Sequence, residues 1–237
     1  MPGTVSKYSS TRTGASRPAP PLLDNHGRKI TYLRLGITDR CNLRCVYCMP
    51  EKGIDLLPHD DILTFEELSR LVAIFCRMGL TKVRLTGGEP FARLDCLSLI
   101  DHLKRAVGVP HLHLTTNGVE THRHIRRLKQ IGLSGLNVSL DTLNRSRFVE
   151  LTRRDRLDQV LRTVDEAVRC GIHLKINSVI TESTTDEEIH SLAGLAKDVP
   201  LSVRFIEHMP FSGKAAASVL QEELLSTRIN RLFPRLH

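Results

Sequence analysis

A chain of 237 residues, 41% of them hydrophobic, can bury one sizeable core and suits a single domain in the α/β-barrel size range. Its formal charge of +8 points to an acidic partner, a phosphorylated small molecule or a nucleic acid, while sparse aromatics and the lack of Trp argue against a base-stacking platform for single strands. No apolar run approaches a membrane span, and six cysteines without a secretory pattern fit a reducing compartment, where clustered thiols serve metal binding or catalysis.

Residues 1–22 are rich in Ser, Thr, Arg and Pro and carry no acidic residue. This composition reads as a disordered leader or as an organellar transit segment, so the expected compartment is the cytoplasm, or the mitochondrion if the segment is a transit peptide. From residue 29 onward strand-like and helix-like segments alternate. Strands are expected at 31–37, 82–85, 111–115, 135–140, 173–179 and 202–206. Helices are expected at 64–78, 96–107, 122–132, 156–170 and 185–197, with one more near 219–232. Thr64 followed by Glu67 forms a capping box, and Gly79, Gly132 and Gly171 stand where helices stop. Six strands separated by helices require parallel pairing through right-handed crossovers. The expected fold is therefore α/β, a partial (βα)6 barrel of TIM type.

The phases within the strands carry more. Strands covered on both faces usually read as continuous apolar runs, but these alternate. One phase is apolar: Leu33, Leu35, Ile37, Val83, Leu85, Leu112, Leu114, Leu136, Val138, Leu140, Leu174 and Ile176. The other is polar: Arg34, Lys82, Arg84, His111, His113, Thr115, Asn137, Ser139, Asp141, Lys175, Asn177, Ser202 and Arg204. Helices must cover the outer face, so the polar phase turns inward. Inward cations are costly unless an anionic ligand or internal carboxylates offset them. For carboxylates, Asp141 and Glu207 are the candidates.

Cys41, Cys45 and Cys48 follow the first strand, at the barrel end where active sites form. Thiolates at spacings of four and three can hold three corners of a cubane and leave one iron without a protein ligand. A zinc site would need a fourth ligand, and the nearest His, His59, lies in a segment without matching spacing. Cys76, Cys96 and Cys170 are isolated on helical segments and read as small hydrophobes. The basic stretches 123–129 and 153–156 read as solvated helix faces, which makes nucleic acid an unfavoured partner.

Three cysteines at this spacing with Tyr47 before the last, and Gly87-Gly88-Glu89-Pro90 after the second strand, resemble the signature of the radical S-adenosylmethionine superfamily. Further runs narrow the resemblance: 24–34, 38–45, 82–90, 115–118, 137–141 and 204–210 are similar to the molybdenum cofactor biosynthesis protein A family of GTP 3′,8-cyclases. The similarity extends from Leu23 to Pro210, so it implies a radical SAM barrel over 23–210, followed by a short helix and tail at 211–237. It implies one 4Fe-4S cluster on the three cysteines, and S-adenosylmethionine held by Tyr47, Gly88, Ser139 and Met209. It implies GTP on Arg34, Arg84, Thr115 and Lys175, with Arg84 and Lys175 as the catalytic pair. Lys82 and Arg204, on the same phase, are expected to help neutralise the triphosphate.

The implied reaction is a lyase-class conversion of GTP to 3′,8-cyclo-7,8-dihydro-GTP through a 5′-deoxyadenosyl radical. Its implied partners are a one-electron donor such as flavodoxin or ferredoxin and a downstream cyclic pyranopterin monophosphate synthase. The sequence departs from the family at Gly36, Thr121, Ser183 and Thr185, and it lacks the second three-cysteine cluster and terminal paired glycine of the family's C-terminal region. An alternative expectation follows, a radical SAM protein that cleaves S-adenosylmethionine without full cyclase activity.

Overall fold

The computed structural model describes residues 20–208 and 218–234, with side chains from residue 225 in the second stretch. Six parallel strands form one sheet in the order β1 to β6: β1 Tyr32–Gly36, β2 Lys82–Thr86, β3 His111–Thr116, β4 Gly135–Ser139, β5 Leu174–Ile180 and β6 Leu201–Glu207. Neighbours in the sheet are neighbours in sequence, and β1 and β6 remain its two edges, which makes the partial (βα)6 barrel that the alternation implied. The helices are α1 Phe65–Arg77, α2 Cys96–Arg105, α3 Ile125–Ile131, α4 Arg145–Thr152, α5 Leu157–Arg169, α6 Asp186–Gly194 and α7 Ser218–Leu232. No helix among the described residues is long and apolar enough to cross a membrane.

The two strand phases separate as expected. Val83, Leu85, Leu112, Leu114, Leu136, Val138, Leu174 and Ile176 are fully buried in the core shared with the helices. On the opposite phase Lys82, His113, Thr115, Ser139, Lys175 and Asn177 are half-buried, and Arg34 and Arg204, on the edge strands, are exposed. Register aligns Arg34 with Arg84, Arg84 with His113 and His113 with Gly135, and aligns Thr115, Asn137, Lys175 and Ser202 in the row above.

The helices needed correction in three places. Helix α4 was not expected at all: it has eight residues and buries Phe148, Leu151 and Thr152, too short a stripe for a 3.6-residue period to stand out. Its one sequence signal is Asn144, whose side chain accepts from the Arg147 N–H at 3.0 Å. The expected helix 122–132 opens instead as a 3-10 turn, Thr121–Arg123, before α3 begins at Ile125. The expected helix 185–197 ends at Gly194. The expected capping box of Thr64 with Glu67 forms, and a second, not expected from the sequence, joins Thr185 with Glu188. The leader falls outside the described residues up to residue 19, but Leu22 is already tied in, its N–H donating to Met78 O at 3.3 Å and its carbonyl accepting from Ile30 at 2.9 Å.

Candidate functional site

The cysteine loop leaves β1 and folds over the carboxyl ends of the strands. Cys48 and Met49 donate their N–H groups to the Cys45 carbonyl at 3.0 and 2.9 Å, which wraps the loop into a turn. The helix missed in the sequence pins this turn in place. Arg44 and Val46 donate backbone N–H groups to Thr152 O at 3.0 Å and Leu151 O at 2.9 Å. Arg153, which ends α4 in the left-handed region at φ 55°, donates to the Arg44 and Met49 carbonyls at 2.8 and 3.0 Å.

The three thiols are neighbours: Cys45 senses the charge of both Cys48 and Cys41, and Cys48 that of Cys41. Cys41 and Cys45 are half-buried against the core and Cys48 is exposed. Burial, then the Asp141 carboxylate, pushes Cys45 up to about 12. Burial is also the first cause that raises Cys41 and Cys48. Without a metal these are protonated thiols, so metal binding must displace protons. Among the described residues no group of three His, Cys, Asp or Glu is arranged to hold a single metal ion, as zinc would require. A cubane asks for less convergence, because each thiolate binds a different iron.

Behind the loop lies a buried scaffold. Gly87 and Gly88 run so close to the segment before Cys41 that a Cβ on Gly87 would meet Thr38 O at 2.4 Å and one on Gly88 would meet Arg40 O at 2.3 Å. Backbone bonds lock the contact: Gly88 N–H to Thr38 O at 2.7 Å and Glu89 N–H to Arg40 O at 2.8 Å. The fully buried Glu89 carboxylate accepts from Thr116 Oγ1, from the Asn117 N–H at 2.7 Å and from the Phe91 N–H at 3.1 Å. Asn117 in turn donates its side-chain amide to Asn42 Oδ1 at 2.6 Å and Cys41 Sγ at 3.6 Å. Burial raises the Glu89 carboxyl above its usual range, opposed by these donors. The chain of contacts fixes Cys41 from the second and third strands.

Ser139 shares a small enclosed cavity, about 30 Å³, with Cys45, Tyr47 and Asp141. Tyr47 donates its hydroxyl to Asp141 Oδ2 at 2.5 Å, and Asp141 Oδ1 accepts from the Val179 N–H at 2.8 Å. Burial raises both Tyr47 and Asp141. An open cleft of about 780 Å³ adjoins them, lined by Val46, Tyr47, Ile180, Glu207, His208 and Arg228 among others. Met209, expected beside Tyr47, lies outside the described residues. Asn177 Oδ1 and Glu207 Oε1 are buried acceptors with no hydrogen-bond partner among the described residues. Such acceptors suit a ligand that brings donors.

The inner face gathers the expected cations. Arg84 is buried and donates to Tyr32 Oη at 2.9 Å and Thr115 Oγ1 at 3.2 Å, and the Lys82 ammonium sits 5.0 Å from the Tyr32 ring centre. Burial, then the charges of Arg204, Lys82 and Arg84, depresses Lys175. Arg34 joins them by register. None of the five forms an ion pair among the described residues: the barrel's bridges involve other side chains. Asp141 is committed to Tyr47 and Val179, and Glu207 forms no ion pair among the described residues, so neither candidate carboxylate pairs with these cations. Tyr32, Asn117 and His113 were not singled out from sequence. The polar phase contained His113, but the role of Tyr32 depends on a cross-strand neighbour that no local pattern reveals.

The model of the Radical SAM superfamily matches residues 35–196. The chain is 45% identical over 193 residues to the mitochondrial GTP 3′,8-cyclase of Arabidopsis thaliana, covering 81% of this chain and 50% of that protein. It is 42% identical over 221 residues to the GTP 3′,8-cyclase of Thermodesulfovibrio yellowstonii, covering 90% of this chain and 69% of that protein. The chain thus spans about half the length of the Arabidopsis relative. Among solved structures, Streptococcus suis SuiB bound to S-adenosylmethionine superposes with a TM-score of 0.69 at 18% identity, over 86% of this chain and 48% of that one.

Proposed function

The chain belongs to the radical SAM superfamily and, within it, to the GTP 3′,8-cyclase family, and from that premise we propose that it converts GTP to 3′,8-cyclo-7,8-dihydro-GTP. The observation that carries the reading is the set of five inward or edge cations, Arg34, Lys82, Arg84, Lys175 and Arg204, without an ion pair among the described residues. A polyphosphate is the ligand that would offset them.

In this reading Cys41, Cys45 and Cys48 hold one 4Fe-4S cluster, and residues 23–210 form the catalytic barrel. The cluster with S-adenosylmethionine would supply, by one-electron reduction from a donor such as flavodoxin or ferredoxin, a carbon radical able to abstract hydrogen. The chain's own residues do the rest. The Gly88 N–H is committed to Thr38, which leaves its carbonyl to accept from the methionyl amine. Ser139 and Tyr47 line the same side, with Asp141 fixing the Tyr47 ring, and Met209 is proposed to complete the site. Arg84 and Lys175, with Thr115, hold the triphosphate so that the ribose faces the cluster, and orientation is a large share of what a protein adds to such chemistry. The product would pass to a cyclic pyranopterin monophosphate synthase, and the enzyme would work in a reducing compartment.

The test uses the anaerobically reconstituted, reduced chain with S-adenosylmethionine and GTP deuterated at the ribose 3′ carbon. Deuterium should appear in the 5′-deoxyadenosine, together with the cyclised nucleotide. Deoxyadenosine formed without deuterium would sink the cyclase reading.

A further inference from the structure

We propose that His113 is a further ligand of the anionic substrate and binds it as the imidazolium, so that seating a polyphosphate in the barrel takes up a proton. The inference rests on the reading of the barrel as a nucleotide site. His113 stands on the inward phase of β3, in the register row that joins Arg34 on β1, Arg84 on β2 and Gly135 on β4. Gly135 makes room for it: a Cβ there would lie 2.8 Å from the His113 Nδ1 and 3.2 Å from its Cε1. The imidazole therefore lies across β4 on the inner face, where a side chain on that strand would otherwise project.

Its surroundings are uniformly basic. Arg34 faces the row from β1, Lys82 and Arg84 from β2, His111 from β3, His173 and Lys175 from β5 and its entry, and Arg204 from β6. Strand β4 contributes Gly135 and Asn137, neither of which titrates. Burial first, then Arg84, Lys82, His111 and His173, brings the ring down to about 4, so in the free protein it is neutral near pH 7. A polyphosphate laid along Arg34 and Arg84 inverts the sign of the nearby charge. The same ring then gains a proton from solvent and offers donors on both nitrogens.

The experiment is calorimetric titration of the full chain with GTP, and separately with inorganic tripolyphosphate, in two buffers of different ionisation heat at pH 7. Wild type should take up on the order of half a proton more than His113→Gln on binding either ligand. The affinity ratio of wild type to variant should fall about fourfold between pH 6.5 and 8, a slope that a packing role would not produce. Equal proton counts with GTP bound to both proteins would overturn the role of His113 and leave the nucleotide reading intact. Failure of wild type to bind either ligand would remove the nucleotide reading, and the inference with it.

Discussion

At the scale of single residues, what separates the site cysteines from the others is company, not burial. Cys96 is buried in the core at the start of α2 and is raised to about 12 chiefly by that burial. Cys45 reaches the same range but has Cys41 and Cys48 beside it. Iron assay after anaerobic reconstitution should give about four irons per chain in wild type and in Cys96→Ala, and none retained in Cys45→Ala. About eight irons would mean that Cys76, Cys96 and Cys170 build a second centre. His113 adds a test of pH. Its pKa is depressed from 6.5 to about 4 in the fold, so between those values the unfolded chain binds more protons. Stability of the ligand-free protein should fall as pH drops from 6.5 towards 4, and less steeply in His113→Gln. Identical denaturant midpoints for the two proteins across that window would contradict the buried, basic surroundings described for His113.

At the scale of elements, the strands were legible and one helix was not, for a physical reason. Alternation such as Leu112, His113, Leu114, Thr115 states in sequence which face is covered. Helix α4 does its work through the carbonyls of Leu151 and Thr152 and the strained Arg153, and backbone acceptors leave no residue signature. Gly87 and Gly88 were legible as a motif, whereas the reason for them, the close passage against Thr38 and Arg40, emerged from packing. Two changes test these elements. Asn144→Ala removes the cap of α4 and should cost about 1 kcal/mol, a drop of roughly 2–4 °C in melting temperature for a chain of this size. Gly88→Ala forces a methyl against backbone that cannot swing away, and should cost roughly 2 kcal/mol or more and loosen the cysteine loop enough to lower iron retention. Melting curves with iron assay on both variants check this. A Gly88→Ala protein as stable and iron-replete as wild type would show that the two loops do not pack as described.

At the scale of the whole molecule, the cations behind the formal charge of +8 include two sets with different consequences. Surface arginines such as Arg105, Arg123, Arg145 and Arg169 are paired with nearby carboxylates, and these exposed pairs are screened and add little. The inner-face cations are unpaired among the described residues, and burial together with their mutual repulsion depresses Lys175. Unpaired positive charge thus gathers where a ligand would lie, and the field there should both draw in and hold a polyphosphate. A charge that reads phosphate carries no information about the base. Arg84 is the buried member of the set, held by Tyr32 and Thr115, so its loss cannot be made good by a mobile neighbour. Charge reversal, Arg84→Glu, should weaken GTP and ATP by the same factor, at least about tenfold or 1.4 kcal/mol, and should flatten the salt dependence of both. Calorimetry with each nucleotide at low and high salt measures the four affinities required. A loss confined to GTP would show that Arg84 reads guanine, and the assignment of the inner face to the triphosphate would then be wrong.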